Sequence, residues 1–79
     1  MKKQLDQFKI GESGVVIKVD GEGRVRRRLF DMGITPTANI TLIKKAPLGD
    51  PIEIYVRGYE LTLRNDEAKL ITLEMKGRE

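Results

Sequence analysis

From residue 40 onward the apolar residues of this chain come in pairs and triplets spaced by two, each set closed off by turn-forming residues. Ile40 and Leu42 are followed by Ile52, Ile54 and Val56, then by Leu61 and Leu63, then by Ile71 and Leu73. A spacing of two puts each set on one face of a short extended segment. Glu53, Tyr55 and Arg57 interleave with the triplet and face the other way. Between the second and third sets lies Arg57-Gly58, a two-residue loop that reads as a tight hairpin, with glycine free to take positive φ. Residues 65–68, Asn-Asp-Glu-Ala, read as a single helical turn, with Asn65 as its cap and acidic residues favoured at its start.

Ahead of this region the period changes twice. Val15, Ile17 and Val19 alternate along a first strand bounded by Gly14 and by the Asp20-Gly21 turn pair. Over residues 23–32, Val25, Leu29 and Met32 then fall at i, i+4 and i+7, one stripe of a short helix. Arg24, Arg27, Arg28 and Asp31 look outward, with Asp31 at pairing distance from Arg27 or Arg28. Gly33 stands where a left-handed C-terminal cap is wanted, and Pro36 prevents the helix from resuming. The resulting fold class is mostly β with one short helix. Five short strands with regular turns and one helix after the first predict a small closed barrel, and closure would remove the exposed strand edges.

Composition supports a folded unit and excludes several chemistries. Leu, Ile, Val and Phe make up 23 of 79 residues, above the level of a disordered chain. No linker, repeat or low-complexity tract divides the sequence, so residues 1–79 read as one domain, with fraying expected over 1–4 and 76–79. With neither Cys nor His, disulfides, thiolate or imidazole metal sites and Cys or His catalysis all fall away. No apolar run exceeds three residues, as at Val15 to Ile17, so none is long enough to span a bilayer. The first ten residues carry Asp6 and Lys9 where a signal peptide needs an unbroken apolar stretch. The expected location is the cytoplasm.

The charge is uneven. Residues 1–28 carry net +4 and the remainder net −1, so the overall +3 comes from the N-terminal third, chiefly Arg24, Arg26, Arg27 and Arg28. A local basic patch of this kind signals an anionic partner, either nucleic-acid phosphate or an acidic protein surface, or is simply a solvated helix face. Four scattered aromatics, Phe8, Phe30, Tyr55 and Tyr59, offer no cluster for base stacking.

Motifs for chemistry are few. Gly21-Glu22-Gly23 lies between a strand and a helix, but Arg26 occupies the third glycine of a dinucleotide fingerprint and no repeated βαβ unit follows. No phosphate-binding GxxxxGK[ST] loop is present. Asp20 with Glu22, and Asp66 with Glu67, are the close acidic pairs, and both fall where acidic residues have structural reasons to be. No nucleophile has an arguable neighbouring base. No catalytic, cofactor-binding or metal-ligating residue is therefore expected. The loop Ala46-Pro47-Leu48-Gly49-Asp50-Pro51 has two prolines that stiffen it and one isolated apolar residue. Leu48 is either a docking tip or a plug that folds back over one end of the barrel.

Taken together, these segments make the chain resemble the FeoA family, small cytosolic proteins of bacterial ferrous iron uptake. The resemblance covers about residues 5–74. It rests on Gly11-Glu12-Ser13-Gly14, on the stretch RLFDMGITP from Arg28 to Pro36, and on APLGDPIEIYVRGYELTLR from Ala46 to Arg64 with the following NDEA. It implies an SH3-like barrel, no enzymatic activity, and a partner, the membrane transporter FeoB with its cytosolic G-domain. It further implies recruitment to the inner face of the membrane by that partner, without insertion. A similar module occurs at the C-terminus of DtxR-type repressors, but no helix-turn-helix is present here. The expected contacts are Arg24, Arg27 and Arg28 of the helix, Leu48 of the loop and Arg57 of the hairpin. Two other readings stand beside this one: a nucleic-acid-binding barrel, favoured by the arginines, and a direct iron-binding chaperone, disfavoured by the missing His and Cys. One position departs from the family pattern, because Thr37 stands where Gly usually follows Ile-Thr-Pro. A β-branched residue at positive φ is costly, so either the turn differs or the position does not require glycine.

Overall fold

Alternation and turns assemble the chain into an antiparallel sheet, seen in a computed structural model that describes residues 1–76. The strands are β1 (Lys2–Gln4), β2 (Ser13–Val19), β3 (Asn39–Lys45), β4 (Ile52–Val56), β5 (Tyr59–Leu63) and β6 (Ile71–Met75), in the order β1-β6-β2-β3-β4-β5. A nine-residue helix, α1 (Gly23–Asp31), joins β2 to β3, and one helical turn, α2 (Asn65–Ala68), joins β5 to β6. The chain is thus mostly β with one short helix. It has six strands rather than five, and β1 and β5 end the sheet without pairing to each other, so the expected closure is not reached by hydrogen bonds.

The additional strand lies where fraying was expected. Residues 2–4 show no apolar alternation, yet they pair with β6 in the register Lys3↔Leu73. The expectation for residues 77–79 lies outside the described residues. After β1 a 3-10 turn (Leu5–Gln7) delivers Leu5 and Phe8 to the core, both fully buried. They join Val16, Leu29, Ile34, Ile54, Leu63 and Leu73 in one cluster fed by β2 through β6 and α1.

The inward face of β2 differs from its expected alternation. The β2–β6 register shifts between Val16 and Lys18. This bulge places Val16 and Val19 in the core and leaves Ile17 exposed, where Val15, Ile17 and Val19 had been expected to share a face. A second shift between Leu42 and Lys44 bends β3 in the same way. The later alternations hold: Ile40, Leu42, Ile52, Ile54, Val56, Ile71 and Leu73 are all buried.

Thr37 resolves the departure noted above. The Ala38 N–H donates to the Thr35 carbonyl at 3.0 Å, closing a turn with Pro36 second and Thr37 third at φ +79°. That third position of a type II turn is one that glycine normally takes. The turn has not changed to suit threonine, because the Thr37 N–H also donates to the Val16 carbonyl at 2.8 Å and holds the segment against β2. Thr37→Gly should therefore stabilise the domain. Relief of the left-handed conformation outweighs the added chain entropy by about 1 kcal/mol, roughly 4–8 °C in Tm for a domain of this size. Thermal denaturation checks the sign, and the exposed Thr37 side chain makes no hydrogen bond among the described residues that its loss would remove.

Glu12 organises the loop before β2. It accepts hydrogen bonds from the Lys9 N–H at 2.8 Å and from the Lys3 ammonium at 3.0 and 3.2 Å. The first bond, then the second, holds its carboxyl below the ordinary value of 4.5. A carboxyl depressed in the folded state contributes stability that is complete above its unfolded value and is lost as pH falls through the folded one. Urea midpoints measured between neutral pH and pH 3 should therefore fall less steeply below about pH 4.5 in Glu12→Gln than in the parent.

Candidate protein-binding surface

The helix that carries the arginine run is held by few core contacts. Leu29 is its one fully buried residue, Phe30 and Met32 pack partly against the core, and Val25, expected to share the buried stripe, is 40% exposed. Its C-terminus closes as expected, with Gly33 at φ +93° and its N–H donating to the Phe30 carbonyl at 2.9 Å.

The four arginines divide by what they touch. Arg26 Nε donates to the Val19 carbonyl at 3.0 Å, and its guanidinium lies 4.7 Å from the centre of the Phe30 ring. Arg28 pairs with Glu67 of α2 rather than with Asp31. Arg24 and Arg27 are exposed and make no hydrogen bond or ion pair among the described residues. Arg26 makes no ion pair among the described residues, so it too keeps its charge uncompensated. An open depression on this side is lined by Gly23, Arg26, Arg27, Phe30 and Asp31.

Arg57 has an internal task. At φ +49°, followed by Gly58 at +89°, it forms the tight β4–β5 hairpin foreseen from the sequence. Its Nε donates to the Gly33 carbonyl at 2.9 Å and Nη2 to Thr35 Oγ1 at 2.6 Å, while the Tyr59 hydroxyl donates to the Met32 carbonyl. The hairpin is thereby fastened to the end of α1. Arg28 and Arg57 accordingly spend their hydrogen-bonding groups on the fold, whereas Arg24 and Arg27 keep theirs for solvent.

Leu48 is not a plug. It is 96% exposed at the tip of the loop over residues 46–51. The loop beneath it is tied at several points: Ala46 N–H to the Pro51 carbonyl at 2.9 Å, and Gly49 N–H to the Ala46 carbonyl at 2.7 Å. Asn65 adds two more, Nδ2 to the Gly49 carbonyl and its N–H to Asp50 Oδ1, both at 3.0 Å. Asn65 therefore does not cap its own helical turn. Arg64 occupies the cap position, and the Asn65 side chain holds the loop. An apolar side chain held in water by a fixed frame is suited to entering a pocket on another protein.

Among the described residues, no group of three or more Cys, His, Asp or Glu is placed to hold a metal ion, and no helix is long and apolar enough to cross a membrane. The surface presents two free guanidiniums on a helix, a third held near them, and an apolar tip on a bonded loop.

Comparison with known proteins identifies the lineage of this surface. Residues 3–75 match the model of the FeoA domain. The chain belongs to the FeoA family. It is 32% identical over 72 residues to an Fe(2+) transport protein A/Fe(2+) transporter FeoB fusion protein of Porphyromonas gingivalis, a match that spans 91% of this chain and 8% of that relative. The solution structure of a FeoA-like protein from Clostridium acetobutylicum is 40% identical, with a TM-score of 0.90, over 99% of this chain and 91% of that one. The crystal structure of Stenotrophomonas maltophilia FeoA, complexed with zinc and described as a prokaryotic SH3 domain protein, is 26% identical with a TM-score of 0.77, over 94% and 89% of the two chains. The fold is therefore SH3-like, and the family is linked to ferrous iron transport.

Proposed function

We propose that this FeoA-family chain is a non-enzymatic accessory protein of ferrous iron uptake that works in the cytoplasm by binding a FeoB-type transporter. Fusion of the two proteins in the Porphyromonas relative supports the partnership, since fusion holds at high effective concentration two modules that act together. The observation that carries the reading on this chain is Leu48, which stands in water on a loop too well bonded to be a loose excursion. Arg24 and Arg27 supply the polar contacts, taking carboxylates on the partner and raising its rate of encounter. Arg28 and Arg57 support the surface from behind by fixing α2 and the hairpin.

The test is an NMR titration of labelled protein with the purified FeoB G-domain, and separately with the detergent-solubilised transporter, each with GDP and with a non-hydrolysable GTP analogue. Amide shifts should cluster on α1 and residues 46–51. Leu48→Asp and the pair Arg24→Ala/Arg27→Ala should each weaken binding by about tenfold or more, roughly 1.4 kcal/mol. Binding unchanged in both variants would refute these contacts, and no shifts with either partner form would refute the partnership.

A further inference from the structure

We infer that the free edge of β5 pairs with β5 of a second copy of this chain, joining two sheets into one across a twofold axis. The two outer edges of the sheet are built differently. β1 is three residues long, carries Lys2 and Lys3, and has its Gln4 N–H taken by Gln7 Oε1 at 3.2 Å. Such short, lysine-bearing edges resist strand addition. β5 is five residues long, reads YELTL, and pairs with β4 without a bulge. It has neither the lysine, the proline nor the kink that guards an edge.

Register shows which groups it presents. The two-residue hairpin makes Val56↔Tyr59 a hydrogen-bonded pair, so Ile54↔Leu61 and Ile52↔Leu63 are hydrogen-bonded too. The N–H and C=O groups of Glu60 and Thr62 therefore point away from β4, and no other backbone group among the described residues takes them. Both residues are exposed.

The occupant is identified by the edge's own symmetry. In an antiparallel pairing centred on Leu61, Glu60 of each copy faces Thr62 of the other, and all the free groups of both edges form four hydrogen bonds. Leu61, partly buried, then meets Leu61 of the second copy on the core side in a closely spaced pair. On the outer side Glu60 lies diagonal to Arg64 of the second copy, twice over. Glu60 and Arg64 are exposed and have no ion-pair partner within the chain among the described residues. Glu60 also lies diagonal to Glu60 of the second copy, so the twofold sets two opposite-charge contacts against one like-charge contact and the edge is on balance self-complementary. A contact this narrow buries less than a standard interface, so the dimer is weak, with a dissociation constant of roughly 10⁻⁴–10⁻³ M.

The full chain has no cysteine, so one introduced thiol reports alone. In Leu61→Cys, two thiols meet at a closely spaced cross-strand pair within disulfide range, and mild oxidation should give a covalent dimer at least tenfold faster than in Thr62→Cys or in Thr72→Cys on β6. Equal rates, or a faster Thr62→Cys, would overturn the proposed pairing. Charge reversal supplies a check that does not depend on core packing. Glu60→Arg alone and Arg64→Glu alone should each sediment as monomers at millimolar concentration, while their equimolar mixture recovers the dimer. A mixture that stays monomeric, a parent chain monomeric at that concentration, or a β5 edge that responds only to FeoB would refute self-pairing.

Discussion

Phe8→Ala should remove most of the stability of this domain. The ring is fully buried on a segment that is neither strand nor helix, just after the 3-10 turn, and its backbone N–H is bonded to the Leu5 carbonyl at 3.1 Å. Truncating a buried Phe costs about 3–5 kcal/mol, the transfer term plus the cavity left behind. Small domains hold only about 5–15 kcal/mol in total, and a chain of this length sits toward the lower end. The expected result is a fall in Tm of roughly 15–30 °C. Urea denaturation followed by circular dichroism measures it directly. A loss below about 1 kcal/mol would mean that the ring does not close the core.

The second large effect is at Gly14, where adding atoms should be as harmful as removing them at Phe8. This glycine is buried on β2 between Ile40 of β3 and Met75 of β6. A Cβ here would lie 3.0 Å from the Glu74 carbonyl oxygen, 3.1 Å from Leu73 Cβ and 3.2 Å from Phe8 Cζ. The first two neighbours are fixed by the β2–β6 ladder and cannot swing aside. Gly14→Ala should cost about 1–3 kcal/mol and Gly14→Val more. Strand propensity alone predicts the reverse order, since valine favours strands and glycine does not. Equilibrium unfolding of the two variants separates the explanations. Combining Gly14→Ala with Phe8→Leu should cost less than the two single losses together, because the smaller side chain withdraws from the added methyl group.

These two residues also mark where the sequence was hard to read. Gly14 reads as the boundary of the first strand, whereas its lack of a side chain is what lets β6 approach. Phe8 is a solitary aromatic with no periodic neighbours, so nothing local announces that it is core. β1 is invisible for the same reason, because three polar residues become a strand only when β6 supplies the partner. The slip at Ile17 is a property of pairing rather than of composition, since Val15, Val16 and Ile17 are all suited to either face. Where local rules suffice, the reading holds. The Gly33 cap, the Arg57-Gly58 hairpin and the inward residues of β3, β4 and β6 are each set by neighbours within a few positions.

The candidate surface divides along the same line. For Leu48 the stiff loop leaves tip and plug both open until the structure shows it exposed, whereas the exposure of Arg24 and Arg27 follows from helical phase. The fates of Arg26, Arg28 and Arg57 do not, because each is decided by a group distant in sequence: Val19, Glu67, and Gly33 with Thr35. A helical wheel places all the outward arginines alike. Only the packed chain distinguishes the ones already occupied.

The four residues of α2 lie mechanically in series between the two parts of that surface. On one side Asn65 holds Gly49 and Asp50 below Leu48; on the other, Glu67 holds Arg28. A single turn has little helical stability of its own, so its conformation depends on these tethers and on buried Ala68. The loop beneath Leu48 and the end of the arginine helix are thus anchored to one four-residue turn, by side chains only two positions apart in sequence.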